Sequence, residues 1–194
     1  MNAQIHRIQV VVAYDFSVNA EHALARALDV ACRAPQHIVH LVAALDPRLG
    51  LPILETRHAD YAYADKIQAL AAEHVRIALA GRPSSGPVEF FVHARFGHPA
   101  EQILEVAEDV GADLVFIGSH GFVGMERMLL GSVSERVVRE ARCPVMVVRP
   151  KEYRDVELLH VVDDNREHKP YKPPLRFSYA DRSAITRPND WPIS

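Results

Sequence analysis

The sequence predicts an α/β protein built on a parallel sheet with helices on both faces. Three observations carry that reading. Five short apolar runs, residues 8–14, 37–45, 88–95, 114–117 and 145–148, are rich in β-branched and aromatic residues. Such runs, mostly without polar alternation, suit strands buried on both faces. Helix-like segments with apolar residues at 3.6-residue spacing separate successive runs. Strict strand–helix alternation is the pattern of a parallel sheet with right-handed crossovers.

The first run, Ile8 to Tyr14, ends at Asp15, and Ser17 is placed to cap the helix that follows. That helix repeats Ala20, Leu24, Ala27, Leu28 and Ala31, with Glu21, Arg26 and Asp29 off the stripe, and Pro35 lies beyond its end. His37 to Leu45 is a second strand of the same kind, broken by Asp46-Pro47. Residues 46–57, with Pro47, Gly50 and Pro52, read as a surface loop over the strand ends. Ala59 to Ala80 is rich in strong helix formers; Gly81 then supplies a stop and Pro83 forbids continuation. Val88 to Arg95 is the third strand. Gly97-His98-Pro99 opens a helix with proline at its first position, and Ile103, Leu104, Val106, Ala107 and Val110 form its stripe up to Gly111. Leu114 to Ile117 and Val145 to Val148 complete the strands.

At 194 residues the chain suits one domain plus an appendage, and 48% apolar with 24% charged residues permits a normal core. A net charge of −3 argues against a general nucleic-acid binder. No run of 18 apolar residues is present, so no membrane span is expected. The N-terminal stretch reads as a strand, not a signal peptide. Cys32 and Cys143 fit no metal motif and read as free thiols in a reducing compartment, which makes the cytoplasm the expected location. From residue 150 onward the character changes. Six of the 13 prolines fall there, with eight basic and eight acidic residues and too few apolar ones for a separate core. The boundaries are therefore a domain over 1–150 and an extension over 151–194. The apolar stretch Val156 to Val162 and the later aromatics lead to the expectation that the extension docks on a subunit.

Chemistry concentrates after the fourth strand. Gly118 closes that strand, Gly121 follows three residues later, and after nine more residues come Gly131 and Ser132, where a helix pattern begins. Glycines let backbone N–H groups approach a phosphate closely. A helix N-terminus adds unpaired N–H groups and a favourable dipole. The competing reading needs no ligand: turn glycines, with Ser132 and Glu135 forming a capping box.

With Asp15 after the first strand and the Gly-x-x-Gly, nine residues, Gly-Ser spacing of residues 118–132, the chain resembles the universal stress protein family over about residues 5–150. The resemblance implies a Rossmann-like, adenine nucleotide alpha hydrolase-like sheet of order 3-2-1-4-5 with two helices on each face. Its strand order reverses between strands 1 and 4, so a ligand crevice is expected at their C-terminal ends. It also implies roles. Asp15 would accept hydrogen bonds from ribose hydroxyls, with Ala13 and Tyr14 flanking the base and Leu41 packing on adenine. Ile117, Gly118 and Gly121 would line ribose and phosphates. Gly131, Ser132, Val133 and Ser134 would hold the terminal phosphates. The other reading of Asp15 is a cap for the helix over residues 17–33; of Leu41, plain core; of Ser134, a solvent-facing helix residue. Tyr14 is bulky for its place, and its ring narrows the base pocket if it turns into the crevice. The apolar stretch Phe122 to Leu130 is expected to close over a nucleotide or to meet a partner.

The leading function is then that of an ATP-binding regulatory or stress protein acting as a nucleotide-dependent homodimer. Pairing is expected through the edge strand Val145, Met146, Val147 and Val148. A divalent cation, Mg2+ or Mn2+, is expected on the phosphates, since hard cations favour phosphate oxygens. The enzyme alternative is a slow ATPase or phosphotransferase. Against it, no Gly-x-x-x-x-Gly-Lys-Ser/Thr loop, kinase signature set or Gly-x-Ser-x-Gly elbow is present. A nucleotide-free interaction module is the third alternative. Among the 11 histidines, His93, His98 and His120 fall near strand ends, but their spacing supports no metal ligand set.

Overall fold

The structure is a computed structural model that describes residues 7–46, 61–121 and 130–150. The chain divides into two units, Met1–Glu152 and Tyr153–Ser194. The second lies outside the described residues, and so does the expectation that it docks on a subunit. The surface loop expected after Asp46, from residue 47 onward, and the apolar stretch 122–129 also lie outside them.

In chain order the elements are β1 (Ile8–Ala13), α1 (Val18–Ala31), β2 (His37–Leu45), α2 (Tyr61–Leu79), β3 (Glu89–Phe96), α3 (Pro99–Asp109), β4 (Leu114–Gly118), α4 (Ser132–Glu140) and β5 (Val145–Val148). The five strands form one sheet of order β3-β2-β1-β4-β5, parallel at every pairing. The order and the α/β class are those expected. Strand β3 begins and ends one residue later than the apolar pattern suggested, because its pairing with β2 runs from Glu89 opposite Ile38 to Phe96 opposite Leu45.

Side-chain alternation along the central strands sorts the core into two layers. Val10, Val12, Val39 and Leu41 pack beneath α1 and α2 with Leu24, Leu28, Ala71 and Val75. Val11, Ala13, Val42, Val115 and Ile117 pack on the other face with Ile103 and Val106 of α3 and Val137 of α4. Val10, Val11 and Val12 are all fully buried, so β1 is covered on both faces, as its unbroken β-branched run requires. Burial of this kind is the main stabilising term.

Helix α1 starts where the sequence places it: the Ser17 side chain accepts a hydrogen bond from the Ala20 N–H at 3.2 Å. Helix α3 has Pro99 in its first turn, where no N–H is missed. Helix α4 departs from expectation. Its N-cap is Gly131, with no side-chain cap, and Ser132 is the first helical residue, so the Ser132–Glu135 capping box does not form. The Gly131 N–H is already bound to the Ser119 carbonyl at 2.8 Å, while the Gly131 carbonyl accepts from Glu135 N at 2.9 Å. That double engagement sets the cap one residue earlier. Among the described residues no helix is long and apolar enough to cross a membrane.

Candidate functional site

Strand order reverses between β1 and β4, and the segments leaving their C-terminal ends meet there. Beyond β1 the Tyr14 N–H still donates to the Val42 carbonyl at 2.9 Å. The Tyr14 ring faces the α1–α2 side and is 3% exposed. Its hydroxyl pairs with Glu21 of α1 and with Nδ1 of His74 of α2 at 2.7 Å. Burial, then the Glu21 hydrogen bond and the charges of Glu21 and Asp15, push its pKa far up, so it stays a neutral donor. The ring therefore packs in the core with Phe16 and does not narrow the crevice. Phe16 holds φ at 64°, the left-handed region that a bulky residue rarely occupies. The reversal there turns Asp15 so that Oδ1 accepts from the Ser17 N–H at 3.0 Å.

The other oxygen, Oδ2, faces the glycine loop. A Cβ on Gly121 would lie 2.7 Å from it, closer than a carbon and an oxygen can sit. Gly118 is glycine for a different reason: a Cβ there would lie 2.8 Å from Asn19 Cβ and 2.9 Å from its backbone carbon, so α1 could not pack on β4. Gly131 is different again. Its φ of −73° suits any residue, and a Cβ would meet nothing nearer than His120 Cα at 3.5 Å. Among the described residues nothing requires glycine at 131. The backbone N–H groups of Ser132, Val133 and Ser134 precede the first intrahelical bond of α4, the one donated by Glu135. The Ser134 hydroxyl is buried and lies within donating distance of the carbonyls of Gly118, at 2.9 Å, and Ser119, at 3.2 Å. It braces the loop against the helix and has no proton to spare for a phosphate.

A sheet of order 3-2-1-4-5, an acid after β1 and this glycine spacing match one known group. The Universal stress protein family matches residues 8–149. The chain belongs to the universal stress protein family. Identity to the putative universal stress protein SERP1273 of Staphylococcus epidermidis is 32% over 144 residues, 74% of this chain and 84% of the relative. Matches to the Methanocaldococcus jannaschii universal stress proteins MJ0531 and MJ0577 are 55% and 46% identical but span only 31% and 34% of those chains. The solved structure of MJ0577 superposes with a TM-score of 0.57 at 26% identity, over 77% of this chain and 100% of that one. A universal stress protein solved in complex with cAMP gives 0.54 at 22% identity, covering 74% and 98% of the two chains. One from Archaeoglobus fulgidus solved in complex with dAMP gives 0.51 at 23%, covering 75% and 99%. These last two share the fold with this chain.

Within this universal stress protein, the structure brings Asp15, Gly118, Gly121 and Gly131 together. Ala13 and Ile117 lie just beneath them, buried against α3 and α4. Ser132 is exposed and Val133 half-buried at the start of α4. Leu41 is not brought there. It is fully buried, opposite Val12 and beneath α1 and α2, four residues short of the end of β2. What sequence reasoning missed is the overhang of β2. Ala13 pairs with Val42, so Ala43, Ala44 and Leu45 continue past the end of β1. Ala43 and Leu45 pack on α2, whereas Ala44 alternates to the opposite side and is partly exposed beside the site. With the register against β1 in hand, counting alternation forward from Val42 selects Ala44 in place of Leu41. Nor do the three histidines gather: His93 pairs with His40 on the β2–β3 margin, while His120 Nδ1 lies 3.2 Å from Ser119 Oγ.

Proposed function

We propose that this universal stress protein binds an adenine nucleotide, ATP foremost, across the ends of β1 and β4. On this reading it acts as a nucleotide-dependent regulatory or stress-response homodimer and not as a dedicated enzyme. One observation carries the binding reading: an acid just after β1, the glycines Gly121 and Gly131 and a helix N-terminus converge, and at Gly131 no atom of the described residues demands the missing side chain. Asp15 Oδ2 is the acceptor for a ribose hydroxyl, and the α4 N-terminus with the Ser132 hydroxyl is the donor set for phosphate. Ala44 is small enough to leave room for a flat base. Mg2+ or Mn2+ would be held mainly by the phosphate oxygens, since the converging residues supply N–H groups, a hydroxyl and one carboxylate. That relatives have been solved with cAMP and dAMP supports the ligand class.

The test is mass analysis of ligand released from freshly purified protein, followed by calorimetry with ATP. Gly131→Val should abolish binding while leaving the melting temperature near wild type. The extended backbone there suits any residue, and the branched side chain would stand where the proposed phosphate meets the α4 N-terminus. Wild-type affinity in that variant would overturn the assignment. ATP turnover well above background would move the reading to the slow-ATPase alternative.

A further inference from the structure

Away from the crevice, β3 is an edge strand held in the sheet by β2, and a pair of histidines joins them on the face opposite α2. His40 Nδ1 lies 3.0 Å from His93 Nε2. His40 Nε2 lies 2.8 Å from Gln9 Oε1, and the Gln9 amide nitrogen donates to the Arg7 carbonyl at 3.3 Å. The amide orientation fixes the rest. Gln9 Oε1 can only accept, so His40 carries its proton on Nε2 and presents a lone pair at Nδ1. His93 then donates from Nε2. The chain requires a lone pair at His40 Nδ1, so His40 must be neutral; His93 donates from Nε2 whether or not its Nδ1 carries a proton.

A proton on His93 Nδ1 leaves the chain whole, whereas one on His40 breaks it. A proton added to His40 Nδ1 would set N–H against N–H across the two strands. His40 is 7% exposed, stacked on Phe91 at 5.3 Å between ring centroids. The charged groups around the pair are already engaged: Glu89 of β3 with Arg7 before β1, and Asp109 of α3 with Arg95 of β3 at 2.9 Å. Asp113, ahead of β4, accepts from the Gln9 N–H at 2.8 Å.

We propose that His40 and His93 form an acid-sensitive latch, which locks the β3 edge onto β2 while His40 is neutral and releases that edge when His40 takes a proton. The electrostatics agree with the geometry. Burial and then the neighbouring His93 bring the His40 pKa down to about 4, and burial and then Arg95 lower that of His93. A histidine with a folded pKa below its unfolded value of about 6.5 binds fewer protons folded than unfolded. Stability is therefore full above about pH 6.5 and falls as pH drops from there toward 4. The opening constant should rise by up to about tenfold per pH unit for each histidine in that window.

The experiment is amide exchange on the full-length protein between pH 7 and 4.5, read as protection factors, with imidazole nitrogen shifts recorded alongside. The latch expects protection at residues 89–96 to fall ahead of that in β1 and β4. It also expects the His40 ring to stay neutral at pH 6, with its proton on Nε2. The double variant His40→Gln/His93→Gln should flatten the pH dependence of β3 protection. Should that variant fail to fold, the wild-type imidazole shifts decide. Titration of the His40 ring near 6.5, β3 protection that falls only together with β1, or an unchanged pH dependence in a folded double variant would each overturn the latch.

Discussion

Asp15 divides its two oxygens: Oδ1 accepts from the Ser17 N–H just ahead of the α1 cap, which Ser17 itself supplies, and Oδ2, the proposed ligand acceptor, faces Gly121. Gly121→Ala separates the two roles. Its Cβ would stand 2.7 Å from Oδ2, and the carboxylate must swing away. Calorimetry should then show nucleotide affinity reduced at least tenfold. Melting should show a modest loss, about 1 kcal/mol for a disturbed hydrogen bond to Ser17. Unchanged affinity would remove Asp15 from the site. Asp15, Gly121 and Gly131 were legible in the sequence because their spacing is itself the signal. Ser134 was legible as a position and not as a role, since nothing in the sequence shows that two backbone carbonyls compete for its hydroxyl. Leu41 was misplaced because a continuous apolar strand does not say which face each residue takes. That is settled by register against β1.

At the scale of elements, the packing of α1 on β4 rests on Gly118. An added Cβ would meet the Asn19 backbone at 2.9 and 3.0 Å, and a helix backbone cannot yield as a flexible side chain can. Gly118→Ala should therefore destabilise the domain by roughly 1–3 kcal/mol, the usual cost of overpacking. Urea unfolding at constant slope would measure it, and a loss within error of zero would mean that α1 is free to shift. The strands were legible because β-branched runs leave little alternative. The start of α4 was less so. Ser-x-x-Glu has the composition of a capping box, but the loop bond from Gly131 to Ser119 decides where the helix begins, and that bond joins residues 12 apart.

At the scale of the whole molecule, the sheet has two edges, and the second, β5, is the proposed dimer strand. Its hydrogen-bonding direction can be assigned. The Val115 N–H donates to the Pro144 carbonyl and the Ser119 N–H to the Val148 carbonyl, so even-numbered residues of β5 face β4. The N–H groups of Val145 and Val147 consequently point outward, and Met146, 44% exposed, adds apolar surface beside them. An apolar edge that no described strand pairs with invites a second strand. Val147→Pro removes one outward donor and leaves the β4 ladder intact, the situation in which an edge strand tolerates proline. Light scattering should show a dimer for the wild type at micromolar concentration. For Val147→Pro it should show a dissociation constant raised at least tenfold, with little change in the circular dichroism spectrum. Met146→Pro is the control: its N–H faces β4, so it should unfold the edge itself. A wild-type protein that runs as a monomer, or a Val147→Pro dimer as tight as wild type, would show that β5 is not where two copies meet.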